Sequence, residues 1–386
     1  MGQGPNERCG TAPTSHNAAV RAASRRARYV GRAAVAWSVV STGLAAYWAL
    51  TGHGFPYASD AVSDVTGPVV GRFGPDAAWV AVVVVGAPAA VLGGVMLRGI
   101  RTARPVLIAL GVLVAVQLLL LMTSIDLLTL IGYTPYALVS LATRPEVAAA
   151  YARTAAETGV AHQLFWLVGG FLWALATLAY ARRSGSGCPR CGRREGSESW
   201  RSPASAARWG RAAAYLAVVP PVVYAFTRFA WALGFPLGIS EEFLREGQEL
   251  GMWTSGAFLA SFGLVGAVLT LGLIQRWGEV FPRWMVGRSG RRVPIALAVV
   301  PASVVAVLLT VGGVAMWSGY AEMVGAAVGG SAEDIQPLGV LPTALFPLWG
   351  VALGAATLAY YYRRRRACFV CGRGETVPVS AEEHAA

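Results

Sequence analysis

Eight stretches of about twenty apolar residues, at 33–51, 77–97, 105–131, 163–181, 212–233, 253–274, 294–316 and 344–362, constrain this chain more than any other feature. A bilayer core about 30 Å thick takes roughly 20 residues of helix, so each stretch is long enough to span it. None alternates with period two, which excludes a closed β-barrel. Of the 386 residues 55% are hydrophobic and only 13% charged, too few charges to coat a soluble domain of this length. The expectation is an all-α polytopic membrane protein with eight transmembrane helices. Pro88, Pro220, Pro221, Pro301 and Pro347 fall inside the stretches, where a membrane helix kinks but survives.

Charge in the connecting segments predicts the orientation. The N-terminal tail, the 98–104 turn, the 182–211 loop, the 276–292 loop and the tail from Arg363 hold 27 Arg against 7 acidic residues. The four alternate loops hold 12 acidic residues against Arg72, Arg144, Arg153 and Arg245. Basic residues stay on the cytoplasmic side, so this reads as a multi-pass plasma-membrane protein with both termini cytoplasmic. The +12 net charge then reflects topology and calls for no nucleic-acid partner. The partner it does call for is the lipid bilayer, and the sequence names no protein partner.

An internal repeat accounts for the organisation. Gly31-Arg32-Ala33-Ala34 recurs as Gly210-Arg211-Ala212-Ala213, and Trp48-Ala49-Leu50 as Trp231-Ala232-Leu233. Ala176-Thr177-Leu178-Ala179-Tyr180 recurs as Ala356-Thr357-Leu358-Ala359-Tyr360, and Cys188-x-x-Cys191-Gly-Arg as Cys368-x-x-Cys371-Gly-Arg. The offset stays between 179 and 183 residues. It predicts two parallel four-helix repeats of one orientation. The expected divisions are a disordered basic tail (1–28), repeat one (29–195), a linker (196–208), repeat two (209–374) and a disordered tail (375–386). The runs Arg276-Trp277-Gly278-Glu279-Val280-Phe281-Pro282-Arg283-Trp284 and Pro236-Leu237-Gly238-Ile239-Ser240-Glu241-Glu242-Phe243-Leu244 resemble those of uncharacterised actinobacterial membrane proteins. That resemblance implies a membrane location and carries no activity.

Cysteine chemistry is the strongest chemical signal. Cys188-Pro189-Arg190-Cys191-Gly192 has the form of a zinc knuckle, two thiolates on a tight turn closed by glycine, and Cys368-Phe369-Val370-Cys371-Gly372 is the same turn without the proline. One knuckle supplies two ligands and tetrahedral zinc takes four. Each begins eight residues after its matched tyrosine, Tyr180 or Tyr360, so both reach equally far from the membrane. Cys188, Cys191, Cys368 and Cys371 are therefore candidate ligands of one structural zinc, on condition that the fourth and eighth helices pack together. Gly170-x-x-x-Ala174 and Gly350-x-x-x-Gly354 are the small-residue spacings that would allow this. A thiol-disulfide pair and inert cysteines left by duplication are the other readings, and Cys9 in the tail is a bystander.

Asp126 and Arg228 are the acid and base inside the apolar stretches, and a charge in hydrocarbon is a functional candidate by default. At 1.5 Å per residue Asp126 lies about 31 Å and Arg228 about 24 Å along their helices, so both fall near the outer leaflet. They either form an intramembrane charge pair or snorkel separately to the interface. No haem-type histidine pair, zinc-protease run or Gly-x-Ser-x-Gly is present, and a phosphate-binding loop is impossible without lysine. An enzyme is thus disfavoured. A scaffold or regulatory membrane protein with a cytoplasmic zinc knuckle pair comes first, and a small-molecule transporter with a site near Asp126 and Arg228 is the alternative.

Overall fold

The computed structural model describes residues 13–53, 77–124, 126–194, 200–283, 287–328 and 337–374. Every regular element among them is helical, apart from one isolated bridge between Val280 and Arg292. In chain order the α-helices are α1 (Pro13–Thr51), α2 (Ala77–Val80), α3 (Ala87–Leu97), α4 (Arg104–Met122), α5 (Asp126–Thr143), α6 (Pro145–Ala155) and α7 (Thr158–Ser184). The second half has α8 (Pro203–Ala232), α9 (Glu241–Glu249), α10 (Met252–Gly272), α11 (Ile295–Val328), α12 (Pro337–Ala344) and α13 (Phe346–Arg364). Among the described residues seven helices are long and apolar enough to cross a membrane, the last running from Gly339 to Arg364.

Two apolar stretches depart from a single straight helix, each for a local reason. Between α2 and α3 residues Ala81–Gly86 wind as a π-helix, so 77–97 is helical throughout but in three pieces. Pro88 sits in the first turn of α3, where its missing N–H and its ring disturb the preceding turn, and a π segment absorbs that. The 105–131 stretch breaks after Met122, and Thr123 is extended at φ −118°, ψ 145°. Asp126 therefore opens α5 rather than sitting inside a helix. Its N–H donates to Ser124 Oγ (3.1 Å), and the Ser124 N–H donates to Gln163 Oε1 on α7 (3.2 Å), so the break satisfies part of the backbone it frees.

Elsewhere the ends follow capping chemistry. Ser202 caps α8 through the Ser205 N–H (3.2 Å) and Ser240 caps α9 through the Phe243 N–H (3.1 Å). Helix α8 thus begins inside the stretch expected as linker, and α1 begins at Pro13, so residues 13–28 are helical where a disordered tail was expected. The remainder of both tails, with Cys9, and residues 195–199 lie outside the described residues.

Packing sorts into two cores and a seam. On α7 the buried Trp166, Trp173 and Tyr180 recur every seven residues and face α1 and α4, with the Trp173 indole N–H donating to Ser38 Oγ at 2.9 Å. In the second half Trp349, Leu353, Ala356 and Tyr360 of α13 pack against α8 and α11. Leu308 of α11 joins the halves by meeting Leu127 and Leu167. Large apolar side chains point outward at Val39 and Val40 on α1, Val112 and Leu113 on α4, and Val265, Val268 and Leu269 on α10. Such faces suit hydrocarbon and not water.

Residues that recur in the sequence make corresponding contacts. The Tyr180 hydroxyl donates to the Ile100 carbonyl and the Tyr360 hydroxyl to that of Gly278 (2.8 Å). Arg183 donates to the Met96 carbonyl (3.4 Å) and Arg363 to that of Leu273 (2.8 Å). In each half, then, the last helix ties its end to the turn ahead of the third helix, and this fixes where the following Cys-x-x-Cys turn emerges.

Candidate metal centre

Both knuckles close the same way. The Cys188 N–H donates to the Arg193 carbonyl (3.0 Å) and the Gly192 N–H to the Cys188 carbonyl (2.8 Å). In the other turn the Cys368 N–H donates to the Arg373 carbonyl (2.9 Å) and the Gly372 N–H to that of Cys368 (2.7 Å). Gly192 at φ +72° and Gly372 at φ +67° occupy the left-handed region, where a side chain would strain the turn and splay the two thiols.

The two turns meet. The sulfurs of Cys188, Cys191, Cys368 and Cys371 lie within 4.8 Å of one another, and Cys191 Sγ is 3.6 Å from Cys371 Sγ. A tetrahedron of sulfurs about a zinc ion at about 2.3 Å has edges of about 3.8 Å, so the cluster matches that donor set with slight expansion. All four cysteines are free thiols, none joined in a disulfide. Cys188, Cys368 and Val370 are buried together, with Cys191 and Cys371 half-buried against them.

The thiols are polarised unequally. Burial pushes Cys191 up to about 12, together with the thiols crowding it, against a backbone N–H from Arg193 that pulls it down. Burial likewise raises Cys371. Cys188 feels burial too, but N–H groups of Cys191 and Arg190 directed at its sulfur bring it down to about 7. Four sulfurs cannot all ionise side by side, and a divalent cation is the charge that would let them.

An arginine holds the turns together. Arg193, 6% exposed, sends its guanidinium to the carbonyls of Arg366 (3.1 Å), Arg365 (3.4 Å) and Arg373 in the opposite half. Arg373 donates back to the Arg193 carbonyl (3.4 Å). The two residues stand 180 apart in the chain and contact each other reciprocally, as residues about a two-fold axis do. Arg190 also lies over the Phe369 ring at 3.9 Å. Sequence reasoning passed these arginines by as topological charge, although the signal was there, since the repeated motif is Cys-x-x-Cys-Gly-Arg and not Cys-x-x-Cys alone.

The route by which the knuckles meet is not the expected one. A β-carbon on Gly350 would strike Thr310 and the Ala306 carbonyl of α11, and one on Gly170 would meet Leu119 of α4. The small-residue stripes therefore serve packing inside each half, and α7 and α13 do not pack extensively on each other. What brings the cysteines together is the interlock of the turns beyond the helix ends.

Asp126 and Arg228 are not joined. Asp126 Oδ2 accepts from Ser124 Oγ (2.6 Å) and Gln163 Nε2 (3.3 Å). The Arg228 guanidinium lies over Tyr224 (4.5 Å) and Trp231 (4.2 Å) of its own helix. Of the two arrangements open from the sequence, a charge pair or separate residues, the contacts of the two side chains are separate. Comparison of the chain with protein families, curated proteins and solved structures found no match. Among the described residues, fold and site thus define an all-helical protein with seven membrane-length helices and a four-cysteine cluster that could hold a metal ion.

Proposed function

We propose that this is an integral membrane scaffold or regulatory protein whose two halves are clamped by a structural zinc held by Cys188, Cys191, Cys368 and Cys371. One observation carries the reading: two matching turns, 180 residues apart in the chain, bring four thiols within 4.8 Å of one another. Zinc fits because four sulfurs, two of them buried and two half-buried, complete a tetrahedral donor set and leave no open position for catalysis, the mark of a structural site. A membrane-proximal clamp would hold the end of α7 near the end of α13 without extensive helix packing between them.

The same reading takes the chain as a tandem duplication of a four-helix unit. The broken 77–97 segment serves as the eighth span, with both termini in the cytoplasm of a plasma-membrane protein. Corresponding tyrosine, arginine and knuckle contacts at a near-constant offset support the duplication, and arginine bias supports the orientation. The transporter alternative draws less support, because Asp126 and Arg228 have separate partners.

Metal analysis of the purified full-length protein tests the clamp. One zinc per chain is expected, lost in a Cys188→Ser, Cys368→Ser variant, with chelation lowering the melting temperature of the wild type only. A metal-free wild type that melts identically with and without added zinc sinks the reading.

A further inference from the structure

We propose that the cysteine-bearing end of the helices also holds a binding site for a phosphate-bearing anion, in an arginine-lined cavity beside the metal centre. The cavity, about 820 Å³, lies where the ends of α8, α11 and α13 converge, and seven arginines line it against one carboxylate, Glu279. That carboxylate is already engaged, with Arg363 gripping it at 2.7 Å. Arg364 donates to the Val293 carbonyl (3.1 Å), and Arg193 is committed to the chain beyond α13. Arg201, Arg292 and Arg366 are exposed and have no acidic partner among the described residues.

Three features make this more than a basic surface. Arg201 lies over the rings of Trp200 (4.5 Å) and Tyr362 (5.9 Å), and Arg365 over Tyr362 (4.8 Å). Stacking fixes the plane of the exposed Arg201 guanidinium and turns its N–H edge outward, the arrangement that recognises phosphate bidentately. The first residues of α8, capped by Ser202, form part of the wall, so the positive end of a 30-residue helix adds to the same field. Like charges converging in one concavity repel unless an anion joins them. Orientation in a membrane asks only that arginines lie on this side, as exposed Arg98 and Arg288 do outside the cavity.

Size and depth define the ligand class. A volume of this order takes a small organic molecule and not a lone phosphate ion. Three walls are the ends of membrane-length helices, at Pro203, Ile295 and Arg364, so the cavity lies at the level of lipid headgroups. An anionic phospholipid headgroup and a soluble phosphorylated compound share the chemistry required.

Native mass spectrometry of the full-length protein, titrated with phosphatidylglycerol, phosphatidylcholine or inorganic pyrophosphate, tests this. The wild type should bind phosphatidylglycerol or pyrophosphate in preference to phosphatidylcholine. Arg292→Gln with Arg366→Gln should weaken that binding at least about tenfold, while Arg98→Gln with Arg288→Gln, the same loss of charge outside the cavity, should leave it within about twofold. Arg366→Gln alone, at an exposed side chain, gives the same reading should the double variant fold poorly. Phosphatidylglycerol binding that pyrophosphate does not displace identifies a lipid headgroup site, and pyrophosphate binding that displaces it identifies a soluble ligand. Equal weakening by the two double variants, or no preference over phosphatidylcholine, overturns the proposal.

Discussion

Replacing Arg193 with methionine keeps most of the aliphatic stem and removes the guanidinium that spans the two knuckles. The wild-type side chain is 6% exposed and donates to three carbonyls of the opposite half. A hydrogen bond from a charged donor contributes about 1.5–3 kcal/mol. Three of them sum to roughly 5–9 kcal/mol before correction, but the variant also escapes the cost of burying a cation, which returns several kcal/mol. The expected net loss is about 3 kcal/mol for the interlocked turns. Because the turns must come together for four thiolates to reach one metal, the loss should appear in zinc affinity, and at 1.4 kcal/mol per tenfold it corresponds to about 100-fold weaker binding. Competition against a chromogenic zinc chelator measures this directly. Arg193→Lys, which keeps the charge but not the planar fork, should fall between the two. Zinc affinity within about threefold of wild type in Arg193→Met would refute the argument that the arginine interlock assembles the site.

Three further outcomes follow from particular contacts. Gly350→Ala should destabilise by about 1–3 kcal/mol, because its β-carbon meets backbone at Ala306 and Thr310, whereas Gly43→Ala, with nothing within 4 Å, should be neutral or slightly stabilising; melting in detergent compares them. Asp126→Asn and Arg228→Gln should be additive within about 0.5 kcal/mol in a double-mutant cycle, since their partners differ, and a coupling above about 1 kcal/mol would restore the charge pair. Zinc affinity should fall as pH is lowered, because protons compete for sulfur, and burial gives them an advantage by raising Cys191 to about 12. In the metal-free protein Cys188, lowered to about 7, favours the folded state at pH above its ordinary value near 9 and loses that contribution as pH falls through 7, whereas Cys191 contributes below pH 9 and loses it as pH rises toward 12. Chelator competition across pH 6–8 should therefore show monotonically tighter zinc binding toward pH 8, and a flat profile would contradict thiolate ligation.

What the sequence revealed, and what it hid, divides along physical lines. Hydropathy averaged over twenty residues locates apolar segments but smooths over a short interruption. Thr123, Ser124 and Asp126 therefore vanished into one stretch, although together they end one helix and cap the next. The cysteines were legible because their spacing, their glycine and their recurrence are all local properties of the chain. Their meeting was legible only as a condition, and the small-residue stripes offered for it turned out to pack within each half. The interlocking arginines and the basic cavity were hidden by counting charges along the chain. A count along the chain says how many arginines there are, and only the structure shows which of them converge.

The central claim, one zinc ion per chain held by four sulfurs drawn from both halves, is tested most directly by zinc X-ray absorption together with metal stoichiometry on the purified full-length protein. One zinc per chain is expected, with about four sulfur neighbours at about 2.3 Å and no oxygen or nitrogen bound directly to the metal. Half a zinc per chain, a mixed sulfur and oxygen environment, or a spectrum unchanged when Cys371 is replaced by serine would contradict it.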